Sequence, residues 1–211
     1  MLEDLPPPQR LSLAYASSRS RAAILPLLVL DARLGAILRG RREPVTTQLR
    51  LAWWRDMLRR PVSEWPAGEP LLQALRTWRD PAALAVLAEG WEALLADDLT
   101  PAVIADFVDG RAQAFSALAR ELGVQRPEDA AAAARIWALA DLAANISDGE
   151  ERRLVVEYGR QLGAPPRLSA SVRPLAVLAG LGASALSSEG GPLLSGPRSM
   201  FLALRIGMTG R

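Results

Sequence analysis

Carboxylates and guanidinium groups are the only side chains in this sequence with the types and spacing to do ionic chemistry. Among the 211 residues there is no cysteine and no histidine, and each of the 25 basic residues is an arginine. Thiolate nucleophiles, imidazole bases, lysine Schiff bases and metal sites built on imidazole or thiolate are thereby excluded. Carboxylates remain, which gather hard cations such as Mg²⁺, and so do arginines, which grip phosphates through paired hydrogen bonds. The run RGRR at 39–42 places Arg39, Arg41 and Arg42 where they could hold a diphosphate or a lipid headgroup. The same run reads equally as a cationic helix end entering a turn. Asp106 and Asp109 share a helix face at i and i+3, and Asp97–Asp98 closes a helix before the cap Thr100; both pairs are expected to be solvated surface charge.

These residues have to be positioned by helices. Half of the chain is apolar but only 5% aromatic, with Ala and Leu dominating, which favours helix over a β-branched sheet. Apolar spacing of three and four residues predicts helices at 10–15, 18–39, 44–59, 70–79, 81–96, 101–122, 127–146, 150–162, 169–186 and 198–208. Asp80–Pro81 and Thr100–Pro101 read as N-caps followed by proline, and Gly123 and Gly163 as residues just past a helix end. The stretches 61–69 and 187–197 read as loops, the second long enough to separate the last helix from the body. The expectation is one all-α domain over 1–211, burying about 70% of its unfolded surface.

A formal charge of +2 gives no support to nucleic-acid binding, because the high pI reflects arginine's own pKa. The opening MLEDLPPPQR has acids and prolines where a signal peptide needs basic and apolar residues. The apolar run AAILPLLVL at 22–30 is under half of the about 20 residues a membrane span requires. A cytoplasmic protein is expected.

The segments LAYASSRSRAAILPLLVLDARLGAIL (13–38), EPVTTQLRLAWWRDML (43–58) and EPLLQAL (69–75), in that order, resemble the squalene and phytoene synthase family, as does GWEALLADDLTPAVIADFVDGRAQAFSALARELG (90–123). The resemblance implies a single helical bundle of the isoprenoid synthase type. Its cavity holds prenyl diphosphates, and Mg²⁺ ions bound to facing aspartate-rich helices help the diphosphate leave. It also implies that the helix at 44–59 packs centrally, with Trp53 and Trp54 as candidate cavity-lining residues, one filling interhelical core and the other approaching the cavity wall; both read equally as core with no ligand role. On that helix Leu49, Trp53 and Met57 form one apolar face and Leu51, Trp54 and Leu58 the next, while Asp56 is expected to pair with Arg59 and Arg60.

Both aspartate motifs depart from the family pattern. In LDARLGAILR, Gly35 and Ala36 fall where paired aspartates belong and Asp31 alone remains; in ALADLAANISDGEE, which carries Asp141, Asn145 and Asp148 are only loosely in register with the motif and its arginine is absent. A lone Asp31 or Asp141 is expected to be a solvated or salt-bridged surface acid, with no metal bound and no cofactor. The resemblance then implies a non-catalytic scaffold, assembly or lipid-binding protein, like the degenerate branch that includes mitochondrial complex I assembly factors, with a prenyl or other lipid ligand or a protein partner. The alternative is an active Mg²⁺-dependent prenyltransferase using Asp31, Asp141 and Asp148. In the last segment, Met200, Phe201, Leu204 and Met208 form an apolar stripe edged by Arg198 and Arg205. That is the layout of an interfacial helix in peripheral membrane contact, and equally of a final helix packed on the bundle; packing is expected.

Overall fold

The computed structural model describes residues 1–40 and 43–210. Among the described residues there are ten α-helices, three short 3₁₀ turns and no strand. The helices are α1 (Pro7–Leu13), α2 (Ser18–Arg39), α3 (Pro44–Arg59), α4 (Pro70–Leu75), α5 (Ala85–Ala93), α6 (Pro101–Glu121), α7 (Pro127–Asn145), α8 (Gly149–Gln161), α9 (Arg173–Ser187) and α10 (Pro197–Thr209). The caps follow the local chemistry: Asp80 and Thr100 accept hydrogen bonds from the Ala83 and Val103 backbones at 3.3 Å each. Gly123, at φ +70°, closes α6 with Gly123 N donating to Arg120 O and Val124 N donating to Ala119 O, the paired bonds of a Schellman end.

Several boundaries differ from expectation by three or four residues. The first helix begins at Pro7 rather than 10, and α4 stops at Leu75 rather than 79. Residues Pro81–Leu84 form a 3₁₀ turn before α5, and Ala170–Val172 form another before α9. Pro7 and Pro81 open their segments without an N–H, so the first turn tightens or begins afresh there, and Pro174 stands just inside α9 after the second 3₁₀ turn.

The alanine-rich α7 is the centre of the molecule. It packs against α6, α8 and α9, and its small buried side chains let the neighbouring axes come close around the fully buried Trp137. α5 joins α6 on one side; α10 and α1 cover α9 on the other. The stretch Ala170–Ser187 is long and apolar enough to cross a membrane, but 56% of it is buried within the fold, as befits a core helix. The last helix is not detached by the 188–196 loop. Ala203 and Ile206 of α10 are buried against α9, and Leu193 of the loop is buried too.

The helix α3 is peripheral, which corrects the expectation of a centrally packed helix. Leu51, Trp54 and Leu58 are buried, whereas Leu49 and Trp53 are exposed, Trp53 by 40% against 4% for Trp54. The neighbours α5 and α2 lie on one side of α3 only, so its second apolar face meets solvent. Asp56 bonds its neighbour Arg55 at 2.9 Å rather than Arg59 or Arg60. Arg59 and Arg55 reach across to Glu89 and Glu92 of α5, at 2.6 and 2.7 Å.

Candidate functional site: a buried arginine between two aspartates

Asp31 lies midway along α2 among buried leucines, and at 1% exposure it is inside the protein, not on the surface as expected. Burying a carboxylate requires hydrogen bonds and a counter-charge. Both are present. Oδ1 accepts from Trp91 Nε1 of α5 at 3.0 Å and from Arg111 Nε of α6 at 3.1 Å, while Oδ2 accepts from Arg111 Nη2 at 3.0 Å. The same Nη2 donates to Asp141 Oδ2 of α7, also at 3.0 Å. One guanidinium therefore joins α2 to α7 across the middle of the molecule.

Local sequence explains the fit. A Cβ on Gly35, one turn after Asp31, would stand 2.9 Å from the Trp91 ring, so glycine opens the slot that lets the indole reach Asp31. A Cβ on Gly110 would stand 2.9 Å from the Gly90 Cα, so α5 and α6 meet backbone to backbone. That close crossing brings the next residues along each helix, Trp91 and Arg111, onto the same carboxylate. Arg111 occupies the apolar stripe of α6 between Phe107 and Phe115. Its guanidinium carbon lies 4.4 Å from the Trp137 ring centre, 4.9 Å from Phe107 and 5.3 Å from Trp91. Nη1 is buried without a hydrogen-bond acceptor, so these ring faces are its compensation.

Burial lifts the Asp31 carboxyl above the usual carboxylate range, helped by the charge of Asp141 and opposed by Arg111 and the Trp91 N–H. Burial pulls Arg111 down, but its two carboxylate neighbours outweigh that and raise its pKa, keeping it charged. A hard divalent cation does not fit here. Asp31 has both oxygens bonded to a guanidinium, Asp141 has one, and among the described residues no group of three acidic side chains is placed to hold a metal.

Asp141, partly exposed, forms the floor of a cleft of about 270 Å³ together with Trp91 and Phe107. Leu94, Leu99, Val103, Leu142 and Ile146 make its apolar wall. Arg39 stands at the cleft with Asp97, Asp98 and Glu151, so the polar lining carries more negative than positive groups. Arg41 and Arg42 lie outside the described residues. Asp148 does not join the cluster: it caps α8, accepting from the backbones of Glu150 and Glu151 at 2.8 and 3.0 Å. Asn145 donates to the Asp141 carbonyl at 2.8 Å. Trp53 and Trp54, edge to face at 5.0 Å, line a different, shallow surface groove with Arg33, Arg50 and Glu69. The surface charge of Asp106 and Asp109 is as expected, with Asp109 bonded to Arg135 at 2.8 Å.

The residues missed at the sequence level are Arg111, Trp91, Phe107 and Trp137. The available signal was a charged residue set on an apolar stripe: Phe107, Arg111 and Phe115 recur at four-residue spacing, so the arginine must point inward. An inward arginine demands an inward acid, and Asp31 within LLVLDARLG is one.

Comparison with family models, with curated proteins and with solved structures returns no match to this chain. Fold and site together define an all-α bundle protein organised around an internal Asp–Arg–Asp bridge beside a small, mainly apolar cleft.

Proposed function

We propose that the protein is a squalene/phytoene synthase-like member without prenyltransferase activity, acting as a scaffold, assembly or lipid-binding protein. The observation that carries this reading is the Arg111 bridge. The two aspartates on facing helices, which the resemblance would assign to Mg²⁺, are engaged by a fixed guanidinium instead. An internal cation of single charge cannot leave with a diphosphate or exchange with it, so the site lacks the means to stabilise a departing pyrophosphate. The cleft supports the same reading. At about 270 Å³ it falls below the about 300–1,000 Å³ usual for ligand sites, too small for two prenyl diphosphates, and its carboxylates repel phosphate.

The test is incubation with Mg²⁺ and farnesyl or geranylgeranyl diphosphate, followed by pyrophosphate release. No release above background is expected. Steady Mg²⁺-dependent turnover would overturn the proposal and favour a prenyltransferase using Asp31, Asp141 or Asp148.

A further inference from the structure

The apolar stripe of α10 faces outward. Met200, Phe201, Leu204 and Met208 are all exposed, Phe201 by 68% and Met208 by 73%, while Ser199, Ala203 and Ile206 on the opposite side are buried. At about 100° per residue the four large side chains fall within an arc of about 100°, and Arg198 and Arg205 follow on one flank. Packing on the bundle thus uses the face of Ser199, Ala203 and Ile206 and leaves the four-residue stripe without a partner, against the expectation that the stripe itself would be the packed face.

We infer that α10 is an interfacial helix that docks this protein on an anionic lipid surface. The charge around the stripe selects that occupant. No Asp or Glu occurs after Glu189, and Arg167 and Arg205 share one shallow groove while the guanidinium of Arg173 lies beside Gly210. None of Arg167, Arg173, Arg198 and Arg205 makes an ion pair among the described residues. A second copy docking through the same face would set these arginines against their own equivalents, which a two-fold contact penalises. Lipid phosphates neutralise them, while thioether, phenyl and isobutyl groups enter the acyl boundary. Because α10 is already helical and held on α9, docking needs no coil-to-helix ordering. The inference rests on α10 and the arginines beside it and is independent of the proposed lack of prenyltransferase activity.

The experiment is sedimentation of the full chain with vesicles of phosphatidylcholine alone or mixed with phosphatidylglycerol, at low and high salt. Two double variants at exposed positions are compared, Phe201→Ser with Met208→Ser and Arg198→Gln with Arg205→Gln, after circular dichroism and urea unfolding confirm the wild-type fold. A third, Val45→Ser with Leu49→Ser, controls for the other exposed apolar stripe, on α3. The wild type and the α3 variant should sediment with the anionic vesicles and be released by salt. The Phe201/Met208 variant should stay in solution, and the arginine variant should bind about fivefold more weakly for each guanidinium removed. Failure of the wild type to bind anionic vesicles, or undiminished binding by the α10 variants, would overturn the inference. So would a dimer, seen by light scattering, that dissociates in the Phe201/Met208 variant, since it would assign the face to a second copy.

Discussion

Arg111 has 0% side-chain exposure and is bonded to two carboxylates, a position where deletion and replacement have different consequences. Removing it alone leaves Asp31 buried beside Asp141 with no cation, so Arg111→Met should destabilise the protein by about 3–5 kcal/mol in urea unfolding. Adding Asp31→Leu to Arg111→Met removes the orphaned charge and should recover most of that loss, because a buried ion pair is worth little more than a well-packed apolar pair. A double variant no more stable than Arg111→Met would contradict this account of the bridge. The tryptophan pair makes a second residue-level comparison. Trp54 is buried under the Arg33 guanidinium at 5.4 Å, so Trp54→Ala should cost about 3–5 kcal/mol. Trp53 contributes mainly its edge-to-face contact, and Trp53→Ala should cost about 0.5–1.5 kcal/mol. Equal shifts in the urea midpoint would be inconsistent with a peripheral α3.

At the scale of the element, the crossing of α5 and α6 determines whether the bridge can form. Alanine is the better helix former by about 1 kcal/mol, so propensity alone favours Gly110→Ala. Packing opposes it, because the new methyl would meet the Val86 carbonyl oxygen at 2.5 Å and backbone cannot move aside as a side chain does. Overpacking of this kind costs about 1–3 kcal/mol, and the variant should be less stable than wild type despite its propensity. It should also change the near-ultraviolet circular dichroism, since Trp91 is displaced relative to Asp31. A more stable variant with an unchanged spectrum would argue against the close crossing. Element positions themselves were largely legible, because caps, prolines and three-to-four spacing act within one or two turns. The shortened α4 and the 3₁₀ turns before α5 and α9 were not, because periodicity does not distinguish a tight first turn from an α-helical one.

For the whole molecule, the question is what α10 does for the bundle it lies on. A chain ending at Gly196 uncovers α9, and the loss of Ile206 burial alone removes about 1.5–3 kcal/mol. Its urea midpoint should fall accordingly. An unchanged midpoint would mean that α10 is a detached appendage, as the loop composition by itself suggested. The outward face of α10 is then a separate matter from its inward one, and substitutions at Phe201 or Met208 should leave the midpoint where it is.

By itself the sequence determined an all-helical chain, the approximate place of each helix, and the lack of thiol, imidazole and amine side chains. These follow from composition and from interactions a few residues long. It also held both ends of the bridge, an acid and an arginine on apolar stripes, without joining them. Only the tertiary structure decided that Asp31 and Arg111, 80 residues apart, share two hydrogen bonds, that α3 lies at the edge, and that the stripe of α10 faces outward. The physical reason is common to all three. A helix's periodicity shows which faces are apolar, but whether a face is covered depends on the distant helices that reach it, and those contacts are set by close crossings such as Gly90 on Gly110.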